Sequence, residues 1–442
     1  MSIDTTPTYN LKVVVQETGV KPDTLRAWER RYGLPQPQRT SGRHRLYSQY
    51  DIEMIKWLVA RQLEGLSISR SVELWGTLLA AGKNPLQEYQ SATPAKIAPP
   101  AITPGSTVDD IRDAWLAACV DFNEAAAEQI LMQAFALYPP VMVCLEVLQK
   151  GLALMGEWWY RNEITVQQEH FASALAMRRL NALVAATPQP TRAERIIVAC
   201  PAQEDHVFAP LLLTLMLRYS GWEVIYLGAN VPLARFEAML QSVHPDLVVL
   251  TAQQLHSAAN LVQVGEFLRQ QGTRMAFGGR IFNQMPQIRR RIPGYFLGER
   301  LEDVVRGVTN ILLHHATDLQ LEAVPESYKF AIQHYRQRQA AIENHVWQLL
   351  RKQNAVYEHI TNANLHLSRD IAAALQLGDM TLLGTEISWT EKLLLNYSMP
   401  AAALHDYLEA YYQAAKAHLD ELGRPIVGWL EGICQNSGEQ PA

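Results

Sequence analysis

Residues 195–210, "RIIVACPAQEDHVFAP", decide how the middle of this 442-residue chain folds. The run RIIVACPA is apolar and β-rich, as a strand buried on both faces must be. QEDHVFAP then carries Glu204 and His206, two apart, on a loop before a helix. Downstream, "WEVIYLG", "DLVVLTAQ", "RMAFGG" and "GYFLG" are further short β-rich runs separated by amphipathic helices. Alternation of this kind predicts a parallel sheet with helices on both faces over 192–320, whose ligand lies at the carboxyl ends of the strands. Thr251 closes the third run and Gly278-Gly279 the fourth, where missing side chains let a large ligand approach the backbone.

Working outward, 107–188 has apolar residues at helical spacing in four long segments, which predicts a four-helix bundle. Its third and fourth segments meet in "MGEWWYRNEITVQQEHF" (155–171), crowding Trp158, Trp159, Tyr160, Glu169 and His170 into one short region. Upstream, 79–106 is proline-rich and lacks a periodic apolar face, as expected of a semi-stiff linker. Residues 326–442 read as an all-α domain, with His345, Tyr357, His359 and His366 on one stripe. The whole is thus a multidomain α and α/β protein, with a flavodoxin-like doubly wound sheet at its centre.

The first 78 residues are different in charge. The protein carries a formal net charge of −5, yet 21–45 hold seven Lys or Arg (21, 26, 30, 31, 39, 43, 45) against two acids. A basic patch on an acidic protein points to a polyanion. "NLKVVVQETGVKPDTLRAWERRYG" reads as two helices around a turn at Gly19, the second opening on Lys21-Pro22-Asp23 as a helix N-terminus prefers. Thr24, Arg26 and Arg30 fall on the exposed side of that second helix. "LPQPQRTSGRHRLYS" suits a β-hairpin wing bringing Arg39, Arg43 and Arg45 to phosphates. Tyr32 and Tyr47 flank these elements and complete the expected DNA-contacting set.

No run of eighteen apolar residues and no charged-then-apolar leader occurs, so neither a membrane span nor a signal peptide is expected, and the location expected is cytoplasmic. Cysteines 119, 144, 200 and 434 are far apart and lack zinc-ligand spacing, which argues against a disulfide framework or a zinc site.

These motifs resemble known families. "TLRAWERRYGLPQPQRTSGRHRLYS" resembles the winged helix-turn-helix of the MerR family, which implies binding to double-stranded promoter DNA as a dimer or tetramer. Glu204-Asp205-His206-Val207-Phe208-Ala209, with Thr251 and Gly278-Gly279, resembles the Asp-x-His-x-x-Gly, Ser/Thr, Gly-Gly pattern of cobalamin-binding domains. That resemblance implies His206 as the lower ligand to cobalt and Glu204 as its partner; Ala209 departs from the pattern. Trp159, nine intervening residues and Glu169-His170 resemble the Trp-x9-Glu-His signature of the CarH/LitR regulators, which implies an adenosylcobalamin ligand and a photoreceptor. Those regulators place a histidine, the upper ligand after photolysis, where this chain has Tyr160, a poor ligand at neutral pH. The C-terminal helices faintly resemble the globin-like domain of photocobilins, which implies a linear tetrapyrrole such as biliverdin. The expectation is a cobalamin-controlled transcriptional regulator. Alternatives are a bilin-binding photoreceptor regulator, a regulator using an empty cobalamin fold for protein contacts, and a corrinoid enzyme subunit.

Overall fold

The structure is a computed structural model that describes residues 4–39, 45–63, 68–80, 84–86, 107–313, 319–351, 357–396 and 402–437. It divides into two units, residues 1–100 and 101–442.

In the first unit, strand β1 (Tyr9–Asn10) leads into α1 (Leu11–Thr18), and α2 (Pro22–Tyr32) follows the turn at Gly19. Gly19 sits at φ 69°, a left-handed conformation that glycine adopts without Cβ strain. Pro22 opens α2, where its missing N–H costs nothing. The hairpin expected after α2 is present as β2 (Gln38–Arg39) and β3 (Arg45–Tyr47), paired antiparallel. The sheet has a third strand that patterning did not anticipate, because β1 is two residues long and pairs with β3 through Tyr9 and Asn10. Helices α3 (Gln49–Leu63) and α4 (Ile68–Ala80) close over these elements. Leu25, Trp28, Tyr47, Ile55, Leu58 and Trp75 form their common core. Helix α4 reaches Ala80, so the stretch expected to be linker from 79 starts as helix, and its proline-rich part lies outside the described residues.

The second unit opens with a bundle of α5 (Val108–Val120), α6 (Glu124–Leu137), a third rod and a fourth. The third rod is continuous but not uniform: α7 (Pro140–Val143), a π-helical segment (Cys144–Gln149) and α8 (Lys150–Tyr160). The fourth is α9 (Val166–Ala185), started by a reciprocal capping box between Thr165 and Gln168. Trp115 is fully buried at the bundle's centre. Gly151 faces it, and a Cβ there would stand 2.8 Å from the indole, so the rods approach only because that position is bare.

The sheet follows: β4 (Arg195–Pro201), α10 (Phe208–Tyr219), β5 (Glu223–Val231), α11 (Phe236–Val243), β6 (Leu247–Thr251), α12 (Leu255–Gln270), β7 (Arg274–Gly278), α13 (Arg280–Gln284), β8 (Tyr295–Phe296) and α14 (Val304–Leu313). All five strands are parallel in the order β5-β4-β6-β7-β8, the doubly wound arrangement expected. Helix α10 is buried on two sides: Leu213 and Leu217 pack on the sheet, while Leu211, Leu212, Leu215 and Met216 join the bundle core. That is why "LLLTLML" is apolar all round rather than amphipathic, its one hydroxyl, on Thr214, being buried and bonded to the Pro210 carbonyl.

The remaining helices are α15 (Glu326–Arg351), α16 (Tyr357–Leu377), α17 (Leu383–Asn396), α18 (Ala402–His418) and α19 (Arg424–Ser437). Their apolar side chains belong to the same core as one face of the sheet, through Phe277, Phe282 and α12.

Replacing Trp115 by Ala should destabilise the bundle by about 3–5 kcal/mol, the usual cost of emptying a large aromatic site. A urea denaturation followed by far-UV circular dichroism measures it, and a midpoint within error of the parent would show that the site refills.

Candidate functional site

The loop from Ala202 to Val207 is folded around one carboxylate. Gln203 takes a left-handed conformation (φ 65°), and its N–H donates to Asn230 Oδ1 at 2.8 Å. The turn drives Glu204 inward, where it is fully buried. Glu204 Oε1 accepts from the His206 backbone N–H at 3.0 Å and from His206 Nδ1 at 2.6 Å. Oε2 accepts from the Gln253 N–H and the Ser257 hydroxyl, each at 2.6 Å. Four donors therefore converge on one carboxylate from two strand ends and the start of α12.

Burial acts to raise the Glu204 pKa, but the hydrogen bonds from His206, Gln253 and Ser257 outweigh it and bring it from 4.5 to about 2. The carboxylate is an acceptor only, so His206 Nδ1 carries a proton toward it and Nε2 is the nitrogen turned away from the pair. The His206 side chain is 56% exposed, so Nε2 is the nitrogen available to a partner from solution. An imidazole fixed in this tautomer by a carboxylate is the arrangement metal-ligating histidines use.

Around it, Thr251 and Gly278 stand side by side at the carboxyl ends of β6 and β7. The Thr251 hydroxyl lies 3.6 Å from Cys200 Sγ at the end of β4. A Cβ on Gly278 would meet nothing within 4 Å, so the glycine leaves open space over the sheet edge. Gly279 is required for another reason: at φ 128°, a Cβ would sit 1.9 Å from the Ala252 carbonyl oxygen. Gln253 ties this corner to the loop, its side chain accepting from the Arg280 N–H at 3.0 Å. Ala209, where the resemblance expects glycine, is the half-buried second residue of α10.

On the bundle, Trp158 and Trp159 border the same apolar core that Phe208 borders from the sheet side. Glu169 holds His170 as Glu204 holds His206: His170 Nδ1 lies 2.6 Å from Glu169 Oε2, and Ser173 donates to Oε1 at 2.7 Å. Tyr160 is turned away to the C-terminal helices, its hydroxyl donating to the Trp389 carbonyl at 3.2 Å and its ring stacked on the Trp389 indole at 5.3 Å.

Of the residues expected to meet DNA, Arg26 and Arg30 are exposed on α2 and Thr24 is half-buried between them. Arg26 reaches Asp23 at 2.8 Å, a solvent-exposed pair that holds it weakly. Tyr32 bonds Ser69 on α4 at 2.9 Å. Two expectations change. Arg45 is engaged by Glu29 at 2.9 and 3.4 Å and braces the wing against α2. Tyr47 is 1% exposed and belongs to the core, because β3 must bury one side chain in two to hold the three-stranded sheet on α3. Arg39 ends β2 opposite Arg45, and Arg43 lies outside the described residues. Gln203, Asn230, Gln253 and Ser257 were missed from the sequence; the polar "QQLHS" directly after β6 was the available signal.

Three family profiles match the chain: "MerR HTH family regulatory protein" over residues 9–74, and two described as "B12 binding domain", over 111–184 and 194–302. The HTH-type transcriptional repressor CarH of Myxococcus xanthus is 30% identical over 263 residues, 60% of this chain and 85% of that protein. The repressor CarA of the same organism is 30% identical over 247 residues, 55% of this chain and 76% of that one. Among solved structures, a cobalamin-binding protein from Desulfitobacterium hafniense is similar at 19% identity and a TM-score of 0.26, covering 45% of this chain and 97% of that one.

Glu204→Gln should cost about 3 kcal/mol at neutral pH, the value of a carboxylate whose pKa falls from 4.5 to about 2 on folding. Because the folded value is the lower one, this stabilisation is complete above about pH 4.5 and is lost as the pH drops towards 2. Denaturation curves taken across that window should fall less steeply for the variant, and parallel curves would overturn the assignment.

Proposed function

We propose a function from one premise: the chain belongs to the family of HTH-type transcriptional repressors that contains CarH and CarA. Its N-terminal module binds promoter DNA, and a cobalamin held at the carboxyl edge of the sheet controls that binding. The observation that carries the reading is the tethered imidazole of His206, locked by a buried carboxylate with Nε2 left exposed.

The donor set fits the group. His206 would supply a nitrogen to the metal, Glu204 fixes its tautomer, and Gly278, beside Thr251, leaves open space at the sheet edge for a nucleotide tail. Trp159, Glu169 and His170 offer an aromatic cover and polar groups from the bundle. When bound, adenosylcobalamin supplies a cobalt–carbon bond that light breaks. The Tyr160 phenol, hydrogen-bonded to and stacked on Trp389, would not be available to the metal. A ligand controls DNA binding only through unequal affinity for two arrangements of the protein, and this one touches both bundle and sheet.

On DNA, α2 enters the major groove with Thr24, Arg26 and Arg30 facing it, while Arg39, Arg43 and Tyr32 approach the backbone. The active species is a dimer or tetramer on symmetric half-sites, in the cytoplasm.

The spectrum of the protein incubated with adenosylcobalamin tests the ligand. Corrin bands of the base-off, histidine-bound form should appear, change under green light, and be absent in His206→Ala. Bands unaffected by that substitution would discard the lower ligand, and far-red bands after incubation with biliverdin would favour a bilin photoreceptor instead. For the DNA face, Arg39→Ala should weaken operator binding and lower the slope of log affinity against log salt by about one. A titration at several salt concentrations reads both, and an unchanged slope would take Arg39 off the phosphates.

A further inference from the structure

The C-terminal helices are built on the sheet. They share its apolar core, Gln376 on α16 donates to the Ala259 carbonyl on α12 at 2.7 Å, and Asp370 lies 3.8 Å from His256. His256 in turn sits 3.0 Å from the Gln203 carbonyl, in the loop that carries Glu204 and His206. Helix α17 begins in this surrounding. Ile387 packs on the shared core, and Glu386, its carboxyl raised by burial, feels the charges of Asp370, Arg280 and His256.

The same helix ends on the bundle. Ten residues separate Glu386 from Asn396, about 15 Å of helix. At the far end, Asn396 Nδ2 donates to the Tyr160 carbonyl at 2.7 Å, and Asn162 Nδ2 donates to the Asn396 carbonyl at 3.4 Å. Trp389, 43% exposed, stacks on Tyr160 with the ring planes 21° apart and accepts its hydroxyl through the Trp389 carbonyl. All four contacts fall at or just past the C-terminal end of α8, directly after the paired tryptophans.

The bundle is already attached to the sheet on one side, where α10 lies between their cores. Helix α17 supplies a second attachment, through a different set of elements. Widening between bundle and sheet on this side would pull on that second attachment.

We infer that α17 is a gate on the cofactor cleft, latched by Tyr160, Trp389 and Asn396. The latch holds bundle and sheet together in the ligand-free protein and opens for a cobalamin to enter or leave. This rests on the cobalamin reading above. Trp389 and Asn396 belong to the C-terminal helices, so those helices set the rate at which the regulator exchanges its ligand. The latch also explains a tyrosine at 160: its ring and hydroxyl are both used in the contact.

The test uses the full chain carrying Trp389→Leu and Asn396→Ala together, with Tyr160→Phe as a milder variant that keeps the ring. In the ligand-free protein, amide hydrogen exchange across residues 155–163 should rise at least tenfold in the double variant and less in Tyr160→Phe. Stopped-flow absorbance with adenosylcobalamin should then show uptake and release both accelerated, each at least fivefold. Unchanged exchange overturns the latch. Faster exchange with unchanged uptake overturns the gate, and acceleration of release alone would make α17 a ligand contact rather than a gate. If the parent chain takes up no cobalamin, the cleft reading and the gate fall together, while hydrogen exchange still decides the latch.

Discussion

The buried carboxylate of Glu204 is the constraint on which the centre of this protein depends. A charge with no exposure is tolerable only when its acceptor sites are filled, and here the donors come from three places: its own loop, the end of β6 and the first turn of α12. Satisfying one ion therefore fixes the ends of two strands and a helix against each other. The same hydrogen bonds dictate which nitrogen of His206 is protonated. The stability of the loop and the chemistry of the histidine are thus one problem with one solution, and this is why a site for a large ligand can be organised before any ligand arrives.

Much of this was legible in sequence, for definable reasons. A parallel sheet buried on both faces leaves runs such as RIIVACP and DLVVL, whose period and length are hard to mistake, and the alternation of βα units points to a doubly wound arrangement. Glu204 and His206 were visible because they interrupt such a run at its carboxyl end. Helix α2 announced itself through Pro22 and its flanking glycines. What stayed hidden is non-local. Gln253 and Ser257 are ordinary polar residues until the fold carries them 49 and 53 positions back to Glu204. Arg45 and Tyr47 share one face of a short basic strand, and only the fold shows that this face turns inward, with Tyr47 buried in the core and Arg45 paired to Glu29. The contact of Tyr160 with Trp389 spans 229 positions, and no spacing rule reaches that far.

The two acid–histidine pairs merit comparison. Glu204 and His206 are joined across a tight turn, with the acid buried and the imidazole presented outward. Glu169 and His170 are neighbours in the first turn of a helix; the His170 side chain is 73% exposed and the acid is only partly covered. The first pair is held from several elements, the second mainly from its own helix through Ser173. The contrast is between an imidazole held by several elements of the fold and one held mainly within its own turn of helix.

The unbroken core joining the C-terminal helices to the sheet has a consequence for cooperativity. Tyr335, Tyr411 and Ser368 are hydrogen-bonded inside it, and Phe277 and Phe282 of the sheet lie in the same apolar mass. Cutting the chain before Glu326 would strip that sheet face of its cover and leave a wide greasy scar in water. Residues 326–437 are therefore not a detachable appendix: they should melt with the sheet, and a disturbance among them reaches the edge that carries Glu204 and His206 through solid packing.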